Sequence, residues 1–495
     1  MKLSKTNYLI YRDCPHNAWV KIHAPAIYHA TPLSAFDESI IETGNVVDER
    51  ARDLFPGGIL IARGDAATTR DHIVARTPVL YQPVFETDRY TTACDILVWN
   101  PATSRYDLYE VKSSTNGNDK KAKDKLYSYD LAFQAEVLRA NGVPLGRLML
   151  VRLDGDYVLG DSLDVSALFT REDFSERVTA LSAEVSLEMA TAHEILSRTS
   201  PLVPPCGCMT KGRSAHCTTF AYTNPQVPEY SVHDIARIGL SKRKLAELVD
   251  HGILKLEDVP DTFELSEAQA NQVRAAKTGR PSIDHGAIEA FLTTITYPVA
   301  FLDYETYPCA VPRHAGYSPY DHIPFQFSLD VVPHEGADLV HHEFLHTEPS
   351  APDDPLIDAL RAAMPSSGSV VTWNKKFEKG INDRLAARNP GARSFLADVN
   401  ARVVDLMDVF AEQAYVHPGF KGRTSIKAIL PVLVPELSYA DLPIREGATA
   451  TVRWNEVVIG QVDAATASTI RNDLLRYCAL DTRAMVEIWR VLTRL

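Results

Sequence analysis

The spacing of apolar residues changes from strand-like to helix-like within the first 150 positions of the chain. "ACDILVWN" (93–100) and "YDLYEVKSS" (106–114) are short runs of alternating apolar and polar residues, separated by the turn-forming "PATSR". "YDLAFQAEVLRANG" (129–142) then carries apolar residues at helical spacing and ends at Asn141-Gly142, a frequent helix C-cap. Two strands followed by a helix indicate an α/β core in this part of the chain.

The apolar pattern changes twice more towards the C-terminus. Residues 226–295 carry short amphipathic helical stretches joined by turns that contain glycine. An apolar strand, "YPVAFLDYET" (297–306), then begins a second α/β unit, which ends in the long amphipathic helix "ASTIRNDLLRYCALDTRAMVEIWRVL" (467–492). These changes predict an α/β protein with three segments, which are residues 1–225, 226–295 and 296–495.

Composition adds the expectation of a soluble cytoplasmic protein. Of the 495 residues, 45% are hydrophobic and 23% are charged, and no apolar run is long enough to cross a bilayer. The first residues, "MKLSKTNYLIYRDC", lack the unbroken apolar core of a signal peptide. A formal net charge of −13 argues against a protein that coats nucleic acid through its overall charge, although an enzyme can hold nucleic acid in a local basic groove.

Three of the seven cysteines are crowded into "PPCGCMTKGRSAHC" (204–217). In a cytoplasmic chain, the spacing of Cys206, Cys208 and Cys217 points to metal binding rather than to a disulfide framework. Three thiolates leave a tetrahedral site one ligand short. The fourth ligand is either His216, which gives a local zinc site, or the distant Cys14. The remaining cysteines lie within strand or helix patterns and are expected to be buried apolar residues: Cys94, Cys309 and Cys478.

A first group of polar residues lies on the two strands of the N-terminal segment. Asp95 lies in "ACDILVWN", and Glu110 and Lys112 share one face of the next strand because side chains alternate in direction along a strand. If the strands pair as a hairpin, two carboxylates and one ammonium meet at one edge. Carboxylate oxygens suit Mg²⁺, and a lysine beside the ion can orient the attacking water. A surface hairpin with an ordinary salt bridge is the alternative.

This D…ExK arrangement resembles the RecB-type, PD-(D/E)xK nucleases, which include the iron–sulfur nucleases of CRISPR adaptation and of AddB. The resemblance implies a restriction-endonuclease-like domain in which Gln134, on the following helix, supports the site. Those families usually place a tyrosine four residues after the glutamine, where this chain has Leu138. An upstream helix often adds a polar residue, which Glu49 or Asp48 in "ETGNVVDERARDLFPGG" could supply.

The same families suggest a role for the cysteines. In the iron–sulfur members, one N-terminal cysteine and three cysteines after the nuclease core hold a [4Fe–4S] cluster. That implies Cys14, Cys206, Cys208 and Cys217 as ligands here, with Zn²⁺ as the alternative metal. The lysine-rich stretch "KSSTNGNDKKAKDKLY" (112–127) is either a solvated loop or a phosphate contact near the active-site metal.

A second group of acidic residues lies in the C-terminal segment. Asp303 and Glu305 share one face of the apolar strand "FLDYET", where two buried carboxylates are costly unless a cation compensates them. Tyr477 and Asp481 are one helical turn apart and share a helix face. The stretch "VTWNKKFEKG", which lies between them in sequence, adds Glu378. For each piece alone, structural hydrogen bonding or helix capping is the alternative.

Together these pieces resemble the DnaQ-like exonucleases, whose pattern is D-x-E on the first strand, an acid after an N-x-x-F stretch and Y-x-x-x-D on the last helix. The resemblance implies a ribonuclease-H-like domain in which four acids bind two Mg²⁺ or Mn²⁺ ions and Tyr477 orients water. The third acid is usually aspartate and is Glu378 here. Asp405 is expected to support the site from behind. Lys427 in "TSIKAIL" is either a phosphate contact or, more simply, a surface lysine.

Nearly the whole chain resembles a largely uncharacterised bacterial family that joins a RecB-type nuclease domain to a DnaQ-like domain. Its middle segment, "LSKRKLAELVDHGILKLEDVPD" (240–261), resembles a helix-hairpin-helix, whose turn amides can hold a phosphate. The sequence therefore predicts a metal-dependent nuclease, with exonuclease action on single-stranded DNA or duplex ends, in DNA repair, processing or phage defence. The alternatives are an exonuclease that trims RNA and a nucleic-acid-binding scaffold that has lost catalysis. No membrane partner is expected.

Overall fold

The computed structural model of the protein describes residues 1–30, 32–115 and 120–495, which form two compact units. Both units mix helices and strands, so the predicted α/β class is confirmed. No helix among the described residues is long and apolar enough to span a lipid bilayer. The first unit comprises Met1–Met209, His216–Pro225 and Cys309–Asp321. The second unit comprises Thr210–Ala215, Gln226–Pro308 and His322–Leu495.

The first unit has helices before, between and after its strands. Its helices are α1 (Lys5–Asp13), α2 (Pro15–His23), α3 (Pro25–Tyr28), α4 (Ala35–Arg52), α5 (Ala66–Val74), α6 (Lys120–Ala140), α7 (Val165–Leu168), α8 (Ser175–Ser197) and α9 (Phe220–Thr223). Its strands are β1 (Leu3–Ser4), β2 (Ile59–Leu60), β3 (Val79–Tyr81), β4 (Val84–Glu86), β5 (Tyr90–Ala93), β6 (Ile96–Asn100), β7 (Arg105–Thr115), β8 (Leu145–Leu153) and β9 (Phe169–Asp173).

A six-stranded mixed sheet in the order β2-β3-β6-β7-β8-β9 forms the centre of this unit. The predicted hairpin is present, because β6 and β7 pair antiparallel with Ile96 opposite Tyr109. β7 then pairs parallel with β8, which places Glu110 beside Leu150. β1, β5 and β4 form a separate three-stranded sheet. Strand β6 begins at Ile96, so the strand predicted over 93–100 is interrupted, and Asp95 lies just before it.

The two faces of the six-stranded sheet pack against different helices. Leu108, on the same face of β7 as Glu110 and Lys112, belongs to the apolar cluster that contains Phe133 of α6. Tyr109, on the opposite face, packs in a second cluster with Val47 of α4. Period-two alternation along β7 therefore directs Glu110 and Lys112 towards α6.

The lysine-rich stretch predicted as a loop over 112–127 is mostly regular structure. Strand β7 extends to Thr115, and α6 begins at Lys120. Its central part, residues 116–119, lies outside the described residues.

The second unit contains the remaining regular elements. Its helices are α10 (Lys242–Asp250), α11 (Glu267–Thr278), α12 (His285–Leu292), α13 (Asp353–Ala363), α14 (Lys375–Arg388), α15 (Arg393–Ala401), α16 (Asp408–Ala411), α17 (Ile426–Leu433), α18 (Gly447–Val458) and α19 (Ala464–Leu492). Its strands are β10 (Ser282–Ile283), β11 (Val299–Cys309), β12 (Asp321–Val332), β13 (Val340–Leu345), β14 (Ser369–Thr372), β15 (Val403–Asp405) and β16 (Tyr415–Val416).

The sheet of the second unit has the order β13-β12-β11-β14-β15, which places the D-x-E strand β11 at its centre. β11, β14 and β15 are parallel, and β12 and β13 are antiparallel. Leu302 and Tyr304 lie in the apolar cluster formed with α13, α14 and α15. Phe301 contacts Trp489 of α19 on the other face, so Asp303 and Glu305 point to the α19 side of the sheet.

The helix-hairpin-helix predicted over 240–261 forms only in part. α10 ends at Asp250, and Gly252 makes the turn with a φ of 72°. The residues that follow form one 3₁₀ turn, Leu256–Asp258, instead of a second α-helix. Pro260 follows at once, and a proline prevents the helix from continuing through it. The stretch is anchored by an apolar cluster that includes Leu245, Leu248 and Leu256.

Gly368, just before β14, provides a stability prediction. Its φ is 81°, and a Cβ at this position would lie 2.0 Å from the carbonyl oxygen of Pro298. Gly368→Ala should therefore add overpacking, typically about 1–3 kcal/mol, to a left-handed backbone cost of about 1–2 kcal/mol. Urea unfolding of the variant and the parent measures the total loss in free energy of unfolding.

Gly460→Ala is the matched control for this substitution. Gly460 also has a positive φ, of 70°, but nothing lies within 4 Å of its added Cβ. Alanine there should show the backbone cost alone. Equal losses of unfolding free energy in the two variants would contradict the close approach of Pro298.

Candidate active sites and metal centre

The first group of predicted residues converges on the carboxylate of Glu110. Lys112 Nζ donates to Glu110 Oε1 at 2.6 Å, and Gln134 Nε2 donates to Glu110 Oε2 at 2.7 Å. Asp95 Oδ2 accepts the backbone N–H of Val111 at 2.7 Å, which places its charge close to Glu110. The structure therefore brings all four predicted residues together around one buried carboxylate.

Two further charged residues complete this network. Asp130 lies one helical turn before Gln134 on α6, and its two oxygens accept from Lys112 at 2.6 Å and from Gln134 at 2.9 Å. Lys5 Nζ lies 2.9 Å from Glu110 Oε1 and 3.3 Å from Asp130 Oδ1. The i, i+4 spacing with Gln134 is the sequence signal for Asp130. No local pattern connects Lys5 to Glu110, which is 105 positions away.

The two lysines keep the buried carboxylate of Glu110 charged. Burial and the neighbouring Asp95 act to raise the pKa of Glu110, but Lys112 and Lys5 outweigh them and hold the pKa below its usual value. Burial acts to lower the pKa of Lys5, but Asp130 and Glu110 raise it well above the usual range. The pKa of Lys112 is raised in the same way. The network thus gathers three carboxylates, Asp95, Glu110 and Asp130, and two ammonium groups, Lys5 and Lys112, in a largely buried position.

The acid expected from the upstream helix lies apart from Glu110. Glu49 is exposed on α4. Asp48 is half-buried and accepts from Arg52 and from Gln82 Nε2, the latter at 3.3 Å. α4 packs on the face of the sheet that carries Tyr109 and not on the face that carries Glu110. Leu138, where a tyrosine is usual in the related families, is fully buried in the core.

The second group of predicted residues forms a cluster of buried acids. Asp303 and Glu305 extend from β11, and each has one carboxylate oxygen within 4.8 Å of the other and of Cys478 Sγ on α19. Asp481, one turn after Cys478, acts electrostatically on both acids. Glu378, in the first turn of α14, is 2% exposed and faces Asp303, whose charge raises its pKa. Four acids from three elements are therefore brought together.

Burial and mutual repulsion raise the pKa values of these acids. Burial and Asp481 raise the pKa of Asp303 well above its usual value, and burial with Asp303 does the same for Glu305. Burial and Asp303 raise the pKa of Glu378 to about 9. Burial raises the pKa of Asp481 to about 6. Glu378 Oε2 has no hydrogen-bond partner among the described residues, so nothing there offsets the cost of burying this carboxylate as an anion.

Lys427, predicted as either a phosphate contact or a surface lysine, is half-buried and lies at this cluster. Lys427 Nζ donates to the hydroxyl of Tyr477 at 2.8 Å and lowers the pKa values of Asp303, Glu305 and Asp481. The sequence places Lys427 on a short helix but does not show what that helix packs against. In the structure, α17 packs against α19.

Two residues of this site have no motif to identify them. The hydroxyl of Tyr439 donates to Asp481 Oδ1. Gly447, the first residue of α18, lies beside the cluster. A Cβ there would be 3.7 Å from Glu305 Oε2 and 3.9 Å from the Tyr477 hydroxyl, which is ordinary van der Waals contact.

Asp405 supports the site through the backbone. Its Oδ1 accepts the N–H groups of Asn374 at 2.9 Å and Met407 at 3.1 Å, and its Oδ2 accepts that of Lys375 at 2.7 Å. Because three N–H donors occupy its carboxylate, Asp405 holds the first turn of α14, which carries Glu378. Asn374 adopts a left-handed φ of 87° at the start of this turn.

The raised pKa values predict that metal-free protein loses stability as pH rises. Unfolded Glu378 and Asp481 ionise near 4.5 and 3.8, whereas in the fold they keep their protons to about 9 and about 6. The folded state binds more protons between these limits, so the free energy of unfolding decreases as pH increases. Urea titrations of EDTA-treated protein between about pH 5 and pH 9 measure this slope.

Two comparisons control this prediction. Glu378→Gln should flatten the decrease between about pH 6 and pH 9, because glutamine does not ionise in this range. Addition of Mn²⁺ should restore stability at the upper end. A free energy of unfolding that is constant or rises with pH in the metal-free protein would contradict the crowding of the four acids.

The four cysteines form the thiol clasp, which we define as Cys14, Cys206, Cys208 and Cys217. All are buried, and their sulfur atoms lie within 4.8 Å of one another. The predicted gathering of these four thiols is therefore confirmed, and Cys14, not His216, is the fourth member. His216 stacks on Phe220 with ring centres 3.5 Å apart.

The thiol clasp has the chemistry of a metal-binding site. Hydrogen bonding from Cys14 is the largest influence that lowers the pKa of Cys208 to about 7, and the pKa of Cys206 is lowered as well. Asn224 Nδ2 also donates to Cys206 Sγ at 3.3 Å. The pKa values of Cys14 and Cys217 are raised, because four neighbouring thiols cannot all ionise without a cation. Four thiol donors suit a soft metal.

The remaining cysteines are buried, as predicted, and one of them also borders an acidic cluster. Cys94 and Cys478 are fully buried, and Cys309 is nearly so. Cys478 Sγ lies 3.7 Å from Asp303 Oδ2.

Comparison with known proteins identifies one region. Residues 300–425 are similar to a family described as a domain of unknown function, DUF2779. The match covers 126 of the 495 residues and includes Asp303, Glu305, Glu378 and Asp405, but it ends before Lys427 and α19. No curated protein matches the chain.

Proposed function

We propose that the protein is a metal-dependent nuclease with two hydrolytic sites. The observation that carries the proposal is the cluster of Asp303, Glu305, Glu378 and Asp481. Four carboxylates with raised pKa values, one with an unpartnered buried oxygen, are stable as anions only beside added positive charge. Hard divalent cations such as Mg²⁺ and Mn²⁺ supply it and prefer oxygen donors.

The second site has the groups that phosphodiester hydrolysis needs. The four acids would hold the metal, and bound divalent ions stabilise the attacking and leaving oxygens of an in-line displacement. The hydroxyl of Tyr477 accepts a hydrogen bond from Lys427 and is itself a hydrogen-bond partner of Asp481, which would hold it beside the acids to orient a water molecule. The central position of β11 supports a ribonuclease-H-like, DnaQ-like domain.

The first site is proposed as a RecB-type, PD-(D/E)xK nuclease centre in a restriction-endonuclease-like domain. Asp95 and Glu110 would hold a divalent ion, and the lowered pKa of Glu110 keeps it in the charged form that binds a cation. Glu110 Oε1 accepts from both Lys5 and Lys112, so a metal ion held by this carboxylate would compete with these bonds. Lys112 is then placed to contact a water or a phosphate oxygen.

The thiol clasp is proposed to bind a structural metal group. The resemblance to the iron–sulfur nucleases implies a [4Fe–4S] cluster. Zn²⁺ is the alternative, and the close spacing favours it, because four sulfurs at about 2.3 Å from one tetrahedral ion lie about 4 Å apart. A broad visible absorbance with bound iron identifies the cluster, whereas colourless protein with one zinc identifies the alternative.

Cleavage of end-labelled DNA tests the proposed function. Full-length protein with Mn²⁺ should shorten single-stranded DNA or duplex ends, and the double variant Asp95→Asn/Asp303→Asn should not. RNA substrates in the same panel test the alternative of an RNA-trimming exonuclease. If the parent cleaves neither nucleic acid and calorimetry detects no carboxylate-dependent binding of Mn²⁺, the sites are inactive and the scaffold alternative is favoured.

A further inference from the structure

Lys5 occupies a central position in the first site although it belongs to no catalytic motif. Its ammonium contacts Glu110 Oε1 at 2.9 Å and Asp130 Oδ1 at 3.3 Å, and its side chain is 19% exposed. Lys5, Lys112 and Gln134 together donate at least one hydrogen bond to each of the four oxygens of Glu110 and Asp130. Two buried carboxylates therefore face two ammonium groups, and Lys112 alone cannot balance both.

Helix α1 connects Lys5 directly to the thiol clasp. Lys5 is its first residue, after the N-cap Ser4, and Cys14 is its C-cap, whose backbone N–H donates to Ile10 at 2.9 Å. A helix of nine residues at about 1.5 Å per residue spans about 13 Å. One end of this short helix thus carries a ligand of the metal group, and the other end carries a member of the active-site network.

Side-chain contacts hold α1 in a fixed place between these two sites. Tyr8 stacks on Phe133 of α6 with ring centres 5.0 Å apart, and its hydroxyl donates to Glu188 at 2.6 Å. Arg12 donates to the same carboxylate at 2.8 Å and lies over the ring of Tyr129, 3.1 Å from its centre. α1 therefore packs on α6, the helix that also carries Asp130 and Gln134.

We propose that Lys5 is a positioning residue of the first site and that the thiol clasp sets its place through α1. Lys5 balances the charge of Glu110 and Asp130, which leaves Lys112 free to act on the reacting groups. Loss of the metal group releases Cys14, loosens α1 and withdraws Lys5 from the carboxylates. The clasp thereby couples its metal content to the activity of a site that it does not touch. This proposal rests on the proposed nuclease function of the first site.

Lysine substitutions in full-length protein test the proposed role of Lys5 in the first site. All variants carry Asp303→Asn, so that only the first site cleaves. Lys5→Gln should lower kcat at saturating Mn²⁺ by at least about tenfold with KM for DNA changed less than threefold, since charge at the reaction centre affects the transition state more than binding. Lys5→Arg should restore most of this activity. Lys2→Gln, which removes an exposed ion pair with Glu86, is the matched control and should have no effect.

The outcomes separate the two proposals. If Asp303→Asn protein has no activity that Asp95→Asn removes, the proposed function of the first site fails. If that activity is present and Lys5→Gln retains it within twofold, or Lys5→Arg is as impaired as Lys5→Gln, the role of Lys5 is overturned. The metal content of each variant must equal that of the parent, and cleavage is measured well below the melting temperature of Lys5→Gln, because removal of one partner from a buried ion pair itself lowers stability.

Hydrogen exchange tests the coupling through α1. In Cys14→Ser protein, amides of residues 5–13 should exchange faster and first-site activity should fall to the level of Lys5→Gln. Lys5→Gln should leave this exchange unchanged. A Cys14→Ser variant that loses its metal group but keeps both the protection of α1 and the cleavage rate would overturn the coupling. If Cys14→Ser does not fold, removal of the metal group from the parent by chelation replaces it, with the same readouts.

Discussion

We expect Asp303→Asn to lower cleavage by the proposed second site at least about a hundredfold, because it would remove a metal-binding carboxylate that stabilises transition-state charge. Asp303 interacts electrostatically with all three other acids, because Asp481 raises its pKa and its own charge raises the pKa values of Glu305 and Glu378. Asparagine has the same shape but only one acceptor oxygen and no charge. The measurement is the rate of DNA shortening in Asp95→Asn background, with Mn²⁺ in excess.

Measurement of stability is the control against unfolding as the cause of this loss. Replacement of a buried charge among like charges removes repulsion, so metal-free Asp303→Asn should be at least as stable as the parent. Asp338→Asn, at an exposed position, is the control for loss of one negative charge. Cleavage within threefold of the Asp95→Asn parent would contradict the assignment of Asp303 as a metal ligand.

Cys206→Ser removes the metal group and destabilises the first unit. Cys206 is 1% exposed. Its Sγ accepts a hydrogen bond from Asn224 and lies within 4.8 Å of the other three sulfur atoms of the thiol clasp. Structural metal sites supply folding free energy directly, so we expect the first unfolding transition to fall by roughly 10 °C or more. Calorimetry measures the transition, and elemental analysis for iron and zinc measures the metal.

A second buried thiol provides the matched control for Cys206→Ser. Cys309 is also buried, but its sulfur donates to the carbonyl of Val311 at 2.8 Å, a bond that a serine hydroxyl can replace. Cys309→Ser should keep the full metal content. If Cys206→Ser binds as much metal as Cys309→Ser, the thiol clasp is not the metal site.

Residues of the two sites that share one strand or one helix can be predicted from the sequence, because their spacing within that element shows which of them lie on the same face. Asp303 and Glu305 share a strand face through period two, and Tyr477 and Asp481 share a helix face through one turn. The structure places these pairs as the spacing indicates. The residues alone leave His216 and Cys14 as candidates for the fourth ligand, and the resemblance to the iron–sulfur nucleases is what implies Cys14.

Contacts between elements that are distant in sequence cannot be read in this way. Lys5 reaches Glu110 because β1 pairs parallel with β5 and thereby sets the start of α1, which no local pattern reveals. Lys427 and Tyr439 join the acids because of how the chain after β16 packs on α19. The interruption of the predicted strand at Asp95 is a local departure, because Asp95 uses its carboxylate to bond the Val111 backbone.

The segment Cys309–Asp321 belongs to the first unit, although the residues on both sides of it belong to the second. Within the first unit, the N–H of Gly316 donates to the carbonyl of Leu159 at 2.8 Å, and the N–H of Leu159 donates to the carbonyl of Tyr317 at 2.9 Å. The Tyr320 hydroxyl donates to the carbonyl of Ser113. During synthesis, the first unit therefore stays incomplete until residue 321 has left the ribosome. A fragment that ends at residue 225 would lack this segment, so the boundary of an autonomously folding piece does not coincide with the end of the cysteine-rich stretch.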